Sequence, residues 1–293
     1  MRKQAIAILA HNNKEILKML IETLDSEYFD LFIHADLKSD INEKELKKLV
    51  KKSNLYFYKE LNIKWGGISI AQGEYLLLNK IIEKNNNYEY IHIISGVDFP
   101  LKSNKEIYTF FHKNLGKEFI HYQADSLPKV KEDWTKLYRF FPKNYRKYKF
   151  IRAAELLSQK VQKLVGVNRI KHSKIKYMTG ANWVSITEDL ARYLLSKEEE
   201  FNKTFKYCHF PEELFIQTYV EDSPFKDKLY DKTYSNDHSA CKRQIDWSRG
   251  NPYTYKLEDY DELINCGNMF ARKFDSKNID IVKKLYEKLK KEN

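Results

Sequence analysis

Apolar and polar positions follow two alternating periods along roughly the first hundred residues. QAIAILA, from Gln4 to Ala10, predicts a short buried strand. In the KEILKMLIETL that follows, Ile16, Leu17, Leu20, Ile21 and Leu24 recur at helical spacing, with Asn12 or Asn13 placed to cap the helix. FDLFIHAD predicts a second strand ending at Asp36, INEKELKKLVKK a helix, and NLYFYKE a strand. ISIAQGEYLLLNKIIEKN predicts a longer helix and YEYIHIIS a further strand. Strands and helices alternating with short connections predict an α/β fold, a mostly parallel sheet flanked by helices. Right-handed crossovers then place ligands beyond the carboxyl ends of the strands. His11, Asp36 and Asp98 each follow a predicted strand end, so they are expected around one crevice.

The second half is less regular. MTGANWVSITEDLARYLL predicts a strand running into a helix, with Thr187 as cap. HFPEELFIQTYV has Pro and two acids before an apolar run, a helix start. NIDIVKKLYEKLKKEN predicts a basic amphipathic helix. Neither an internal repeat, nor a heptad seam, nor an exposed apolar stripe stands out.

Composition narrows the class. A chain of 293 residues can bury a large core without staples. No run approaches the roughly 18 apolar residues of a membrane helix. MRKQAIAILAHNN lacks a small-residue cleavage site and reads as a first strand, not a signal peptide. Cys208, Cys241 and Cys266 show no CxxC spacing, which argues against a zinc site or a disulfide framework and fits a reducing compartment. Neither GxGxxG nor GxxxxGK[ST] is present, which disfavours a dinucleotide-binding fold and a P-loop.

The net charge of +11 is concentrated. Lys136 to Lys176 holds 13 Lys or Arg against one acid, Glu155, so the rest of the chain is near neutrality. A local excess of this kind points to an anionic partner or to a solvated basic face. YRKYKFIR, within it, interleaves aromatic residues and cations as single-strand nucleic-acid binders do. A basic single-stranded nucleic-acid-binding protein is therefore the alternative function, although no RNP, KH or helix-turn-helix pattern accompanies the segment.

Four blocks, taken together, carry a resemblance. They are AILAHNN with FIHADLKSD; WGGISIAQGEYLLLNKII; YIHIISGVDFPLKSNKEI; and TGANWVSI, FPEELFIQT and MFARKFD. In this order they resemble the core-2/I-branching β-1,6-N-acetylglucosaminyltransferases and the peptide xylosyltransferases, which share one glycosyltransferase family. The resemblance implies a GT-A-type fold and inverting transfer from a UDP-sugar (N-acetylglucosamine first, xylose next) to an acceptor hydroxyl of a glycan or glycoconjugate. It also implies that no metal is needed, and no DXD stands near the expected strand end. The chain then reads as a single domain, 1–293, with a nucleotide-binding half (1–125), a basic insertion (126–177) and an acceptor and catalytic half (178–293). The expected setting is bacterial surface-polysaccharide synthesis by a cytoplasmic protein. Residues 136–176 would touch anionic membrane, where lipid-linked acceptors reside.

Residue by residue, the resemblance makes Glu213, the second acid of FPEELF, the base that takes the acceptor proton. Glu212 is its neighbour on the acceptor side, and both acids also suit a helix N-terminus on dipole grounds alone. Lys273 in FARKFD, with Arg272 adjacent, would meet the charge of the departing diphosphate. Arg249 is the second expected cation, with Arg243 as its rival. His11 and Asp36 would lie around the nucleoside, and Trp65 either near the donor or in the core. Asp98 would either approach the donor sugar or fix the SGVDFP turn. Trp183 is the expected acceptor platform.

Overall fold

The computed structural model describes residues 1–124, 129–140 and 148–293, with only the backbone at 129–132. Arg146, Lys147 and most of YRKYKFIR's first half therefore lie outside the described residues.

The chain opens with β1 (Gln4–Ala10), α1 (Lys14–Leu24), β2 (Phe29–Ala35), α2 (Glu43–Lys47), β3 (Leu55–Tyr58), α3 (Ser69–Ile82) and β4 (Ile91–Ser95). Then come β5 (Phe99–Pro100), α4 (Asn104–Lys113), α5 (Lys129–Lys136), α6 (Lys149–Leu164), β6 (Ser185–Ile186), α7 (Glu188–Ser196) and α8 (Glu198–Thr204). The C-terminal part holds α9 (Phe215–Glu221), β7 (Arg243–Ile245), α10 (Tyr260–Asn265), β8 (Phe270–Arg272) and α11 (Ile279–Glu292). The five-stranded sheet has the order β3-β2-β1-β4-β6, with only β6 antiparallel. A three-stranded sheet, β5-β8-β7, stands beside it.

Every residue of β1 and β2 is buried, because both faces are covered. Alternate side chains of β1 feed different cores. Ile6, Ile8 and Ala10 pack with the apolar stripes of α1 and α11. Ala5, Ala7 and Leu9 pack with α3, α7 and α9. Successive strands β1, β2 and β3 march outward, and β4 returns to the far side of β1. The order reverses between β1 and β4, and a crevice opens there at the strand ends.

Several local expectations are corrected. Asn13 stands at the N-cap position of α1 in a left-handed conformation and makes no side-chain cap bond. The helix predicted from Ile41 to Lys52 stops after Lys47, because the Asp25 carboxylate accepts the N–H groups of Lys51, Lys52 and Ser53. The strand predicted from Met178 is confined to Ser185–Ile186. Upstream, Met178, Gly180 and Ala181 donate instead to Thr218 Oγ1, the Glu213 carbonyl and His121 Nδ1. Thr187 does cap α7, accepting from Leu190 N–H. Pro211–Glu213 form a short 3-10 turn of their own, and α9 starts only at Phe215.

An exposed apolar stripe, not evident in the sequence, runs along α6. Its buried side chains are the polar Glu155 and Gln162, whereas Phe150, Leu157, Val161 and Leu164 are exposed.

Candidate active site

A cleft of about 1420 Å³ opens over the carboxyl ends of β1, β2 and β4. It is larger than the roughly 300–1,000 Å³ of a typical small-molecule pocket, room enough for two ligands side by side. His11, immediately after β1, and Asp36, immediately after β2, line its floor, as expected of residues beyond strand ends. Burial lowers the His11 imidazole below its ordinary value; Asp36 opposes this and Arg272 adds to it. The Asp36 carboxylate accepts from Lys38 N–H (2.8 Å) and Ile63 N–H (2.7 Å). It thereby pins the loop after β2 to the loop that leads into Trp65. His34, at the end of β2, lines the same floor and was not anticipated.

Asp98 does not reach the cleft wall. It is buried one layer behind, where it accepts the Ser95 N–H (2.9 Å) and hydroxyl. Of the two placements expected for it, the geometry is that of a turn-fixing residue. Its other partner is Arg272 Nη1, at 3.3 Å. Pairing of β5 with β8 and the Phe274 N–H bond to the Val97 carbonyl bring the SGVDFP turn and the FARKFD strand together. Burial raises the Asp98 carboxyl, with Arg272 and Ser95 opposing.

Arg272 joins several parts of the site. Its guanidinium lies 4.3 Å over the Trp183 ring, a desolvated cation–π contact, while its tip reaches Asp98. Burial lowers it from its ordinary value, and the charges of Asp98 and Glu213 oppose that. Arg272, Lys273, Glu213 and Trp183 all line the cleft. The Lys273 backbone is held by Tyr255 N–H on its carbonyl at 3.0 Å. In the sequence Arg272 reads only as the neighbour of Lys273; its place at the end of β8 is what brings it to the cleft.

Arg249 is a correction. It is absent from the cleft lining, and its guanidinium is held by Asp246, Asp259 and Glu262 while stacking 4.3 Å from Tyr253. Those carboxylates already satisfy its planar fork. Its rival Arg243 is also elsewhere, buried against the carbonyls of Cys241 and Val184.

The two acids of the FPEELF segment differ sharply in setting. Glu213 faces the cleft within the field of Arg272. Its backbone is clamped, N–H to the Phe210 carbonyl and carbonyl from Gly180 N–H, both at 3.0 Å. A Cβ on Gly180 would lie 1.9 Å from the His121 carbonyl oxygen, so this clamp requires glycine. Glu212 is 4% exposed, and its Oε2 is buried without a hydrogen-bond partner. Burial, reinforced by Glu213, pushes its carboxyl up to about 8. Glu74 of α3 lies behind it; burial holds that carboxyl well above the ordinary range, with an Asn182 bond of 3.0 Å opposing and Glu212 adding.

Aromatic residues form the rim. Trp65 is 44% exposed, so it is not a core residue, and its ring meets Phe210 edge-on at 4.5 Å. Trp134, also unanticipated, packs on Phe210 at 4.8 Å. Among the described residues no group of three or more His, Cys, Asp or Glu side chains is placed to hold a metal ion.

A sequence model described as core-2/I-branching enzyme matches residues 5–264. The chain belongs to the core-2/I-branching enzyme family. Its architecture is α/β, with a mostly parallel five-stranded sheet. Among similar proteins, xylosyltransferase 2 of Canis lupus familiaris is 23% identical over 280 residues, which cover 89% of this chain and 30% of that protein. Xylosyltransferase sqv-6 of Caenorhabditis briggsae is 24% identical over 285 residues, covering 90% of this chain and 33% of that one. This family member thus spans about a third of the length of the curated relatives it matches. The apo structure of mouse xyloside xylosyltransferase 1 aligns over 94% of this chain and 99% of that one at 10% identity and a TM-score of 0.41, a likeness too slight to bear on function. Arg272 and Lys273 fall beyond the matched span, so their place in the site rests on geometry. No helix among the described residues is long and apolar enough to cross a membrane.

Proposed function

We propose that the chain is an inverting glycosyltransferase. It would move N-acetylglucosamine, or else xylose, from a UDP-sugar to an acceptor hydroxyl of a glycan or glycoconjugate. The observation that carries this reading is the opposition, in one cleft, of the Glu213 carboxylate and the cations Arg272 and Lys273. Glu213 takes the proton of the acceptor hydroxyl as its oxygen attacks the anomeric carbon. The bond from that carbon to the diphosphate oxygen breaks on the opposite face, and its electron pair leaves with the diphosphate. Arg272 and Lys273 meet that developing charge, which is why no metal is called for in this reading. Asp98 holds Arg272 in place rather than touching the donor. His11 and Asp36 border the nucleoside, Trp65 the donor side, and Trp183 and Glu212 the acceptor sugar. Three free cysteines fit a cytoplasmic setting, and bacterial surface-polysaccharide synthesis is the process this reading favours.

Calorimetry with UDP, with and without EDTA, followed by a panel of UDP-sugars, tests this. Binding should be indifferent to EDTA, weaken about tenfold or more in Lys273→Ala, and persist in Glu213→Gln. Absence of UDP binding would remove the donor site, and loss on adding EDTA would overturn the role given to the cations.

A further inference from the structure

Helix α6 is amphipathic in the reverse sense to a core helix. Its inward side is polar: Glu155 meets Arg139 at 3.8 Å, and the Gln162 amide spans Tyr138, accepting from its N–H (2.8 Å) and donating to its carbonyl (3.0 Å). Its outward side is apolar. Phe150 is 71% exposed, Leu157 63%, Val161 50%, Leu164 87% and the following Val165 68%. Steps of seven, four and three residues from Phe150 to Leu164 keep these side chains on one stripe. Exposed Lys149 and Lys160 border it along one side, while Lys163, further round the helix, pairs with Asp133. The helix's one acid, Glu155, is the residue turned inward, so the outer surface of α6 carries no negative charge.

We infer that α6 is an interfacial helix that seats the chain on an anionic bilayer, its apolar stripe among the acyl chains and its cations among the headgroups. Apolar stripe and cationic border together are the chemistry of such a surface. A second copy of the chain is a poor occupant, since it would bring the same local excess of positive charge, 13 Lys or Arg against one acid from Lys136 to Lys176, to the contact. The cleft is mechanically continuous with this helix. Arg139 N–H donates to the Tyr207 carbonyl, and His209 N–H to the Trp134 carbonyl. Trp134 then packs on Phe210, which leads into the Pro211–Glu213 turn. Docking through α6 therefore fixes the bilayer relative to the acceptor side of the cleft. Resting on the transferase reading above, it assigns the acceptor to amphiphiles: glycans carried on a membrane-embedded lipid.

The test is co-sedimentation of the full chain with vesicles containing phosphatidylglycerol, against vesicles of phosphatidylcholine alone. UDP calorimetry on the same samples reports the cleft separately. The parent should bind the anionic vesicles and not the neutral ones. Leu157→Glu/Val161→Glu should lose about tenfold or more of that binding while retaining UDP affinity. Lys149→Gln/Lys160→Gln should weaken it severalfold, and added salt should do the same. Failure of the parent to bind anionic vesicles, or undiminished binding by Leu157→Glu/Val161→Glu, overturns the inference and leaves the donor site standing. A parent that sediments as a dimer, reverting to monomer in that variant, would also overturn it in favour of self-association. Vesicle binding without UDP binding would instead sink the transferase reading.

Discussion

Replacing Glu212 by Gln should make the protein more stable, by a margin that grows as pH rises from about 4.5 to about 8. The Glu212 carboxyl, ordinarily near 4.5, is raised to about 8 by burial. Between those two values the folded chain holds a proton that the unfolded chain has released. Stability then falls as pH rises through that window, by up to about 1.4 kcal/mol per pH unit, and levels off above the folded value. Over the whole window the loss is on the order of 5 kcal/mol. Gln keeps the shape and the neutral charge state but cannot ionise, so the variant escapes the loss. Below pH 4.5 parent and variant should unfold at nearly the same urea concentration; at pH 8.5 the variant should be ahead by several kcal/mol. Other groups titrate in this range, His11 and His34 among them, both lowered by burial. Their contribution has the opposite sign, and it is shared by both proteins, so the difference between the curves isolates Glu212. Glu74 is eased slightly in the variant, which widens the gap at high pH. Urea midpoints taken at half-unit steps from pH 4.5 to 8.5 measure it. A gap of constant size across that range would refute the claim that Glu212 is folded with its proton.

The same division of roles predicts that Glu213→Gln lowers kcat about a hundredfold or more, whereas Glu212→Gln at pH 7 changes it little; steady-state kinetics with the UDP-sugar found in the panel decides between them. Asp98→Ala should destabilise the fold by about 3–5 kcal/mol in urea unfolding, because it removes the buried carboxylate that pairs with Arg272 and leaves that cation and the Ser95 N–H without it. Arg249→Ala should leave UDP affinity unaltered by calorimetry, since its partners are Asp246, Asp259 and Glu262 and not the cleft; a weakening of tenfold would restore it to the donor site.

Part of the candidate site was legible in the sequence alone. His11 and Asp36 could be placed because a strand that ends in an alternating α/β pattern delivers its next residue to the sheet's edge, whatever the rest of the chain does. Glu213, Lys273, Trp65 and Trp183 needed the resemblance, since no local period distinguishes them from surface residues. Arg272 was legible only as Lys273's neighbour, and Glu74 was missed, for different reasons. Arg272 is one strand residue away from Lys273, and its stacking on Trp183 depends on a contact about ninety residues distant in sequence. Glu74 sits in the apolar run of α3, where a lone acid on a buried face was a usable signal. Asp98 and Arg249 show the converse: a carboxylate and a cation in plausible positions whose partners, Ser95 with Arg272 and a trio of acids, turn them away from the cleft.

The sequence by itself determined the strands β1, β2 and β4 and the helices α1, α3, α7 and α11, because their apolar periods are strong enough to outweigh local competition. Only tertiary structure decided where the predicted helix after Ile41 stops, how Pro211–Glu213 turn, and which of two adjacent glutamates is buried. It also decided that α6 shows its apolar side to solvent. The physical reason is common to all four: each depends on which groups from distant parts of the chain cover a side chain or accept its hydrogen bonds, and neither is encoded in the neighbouring residues.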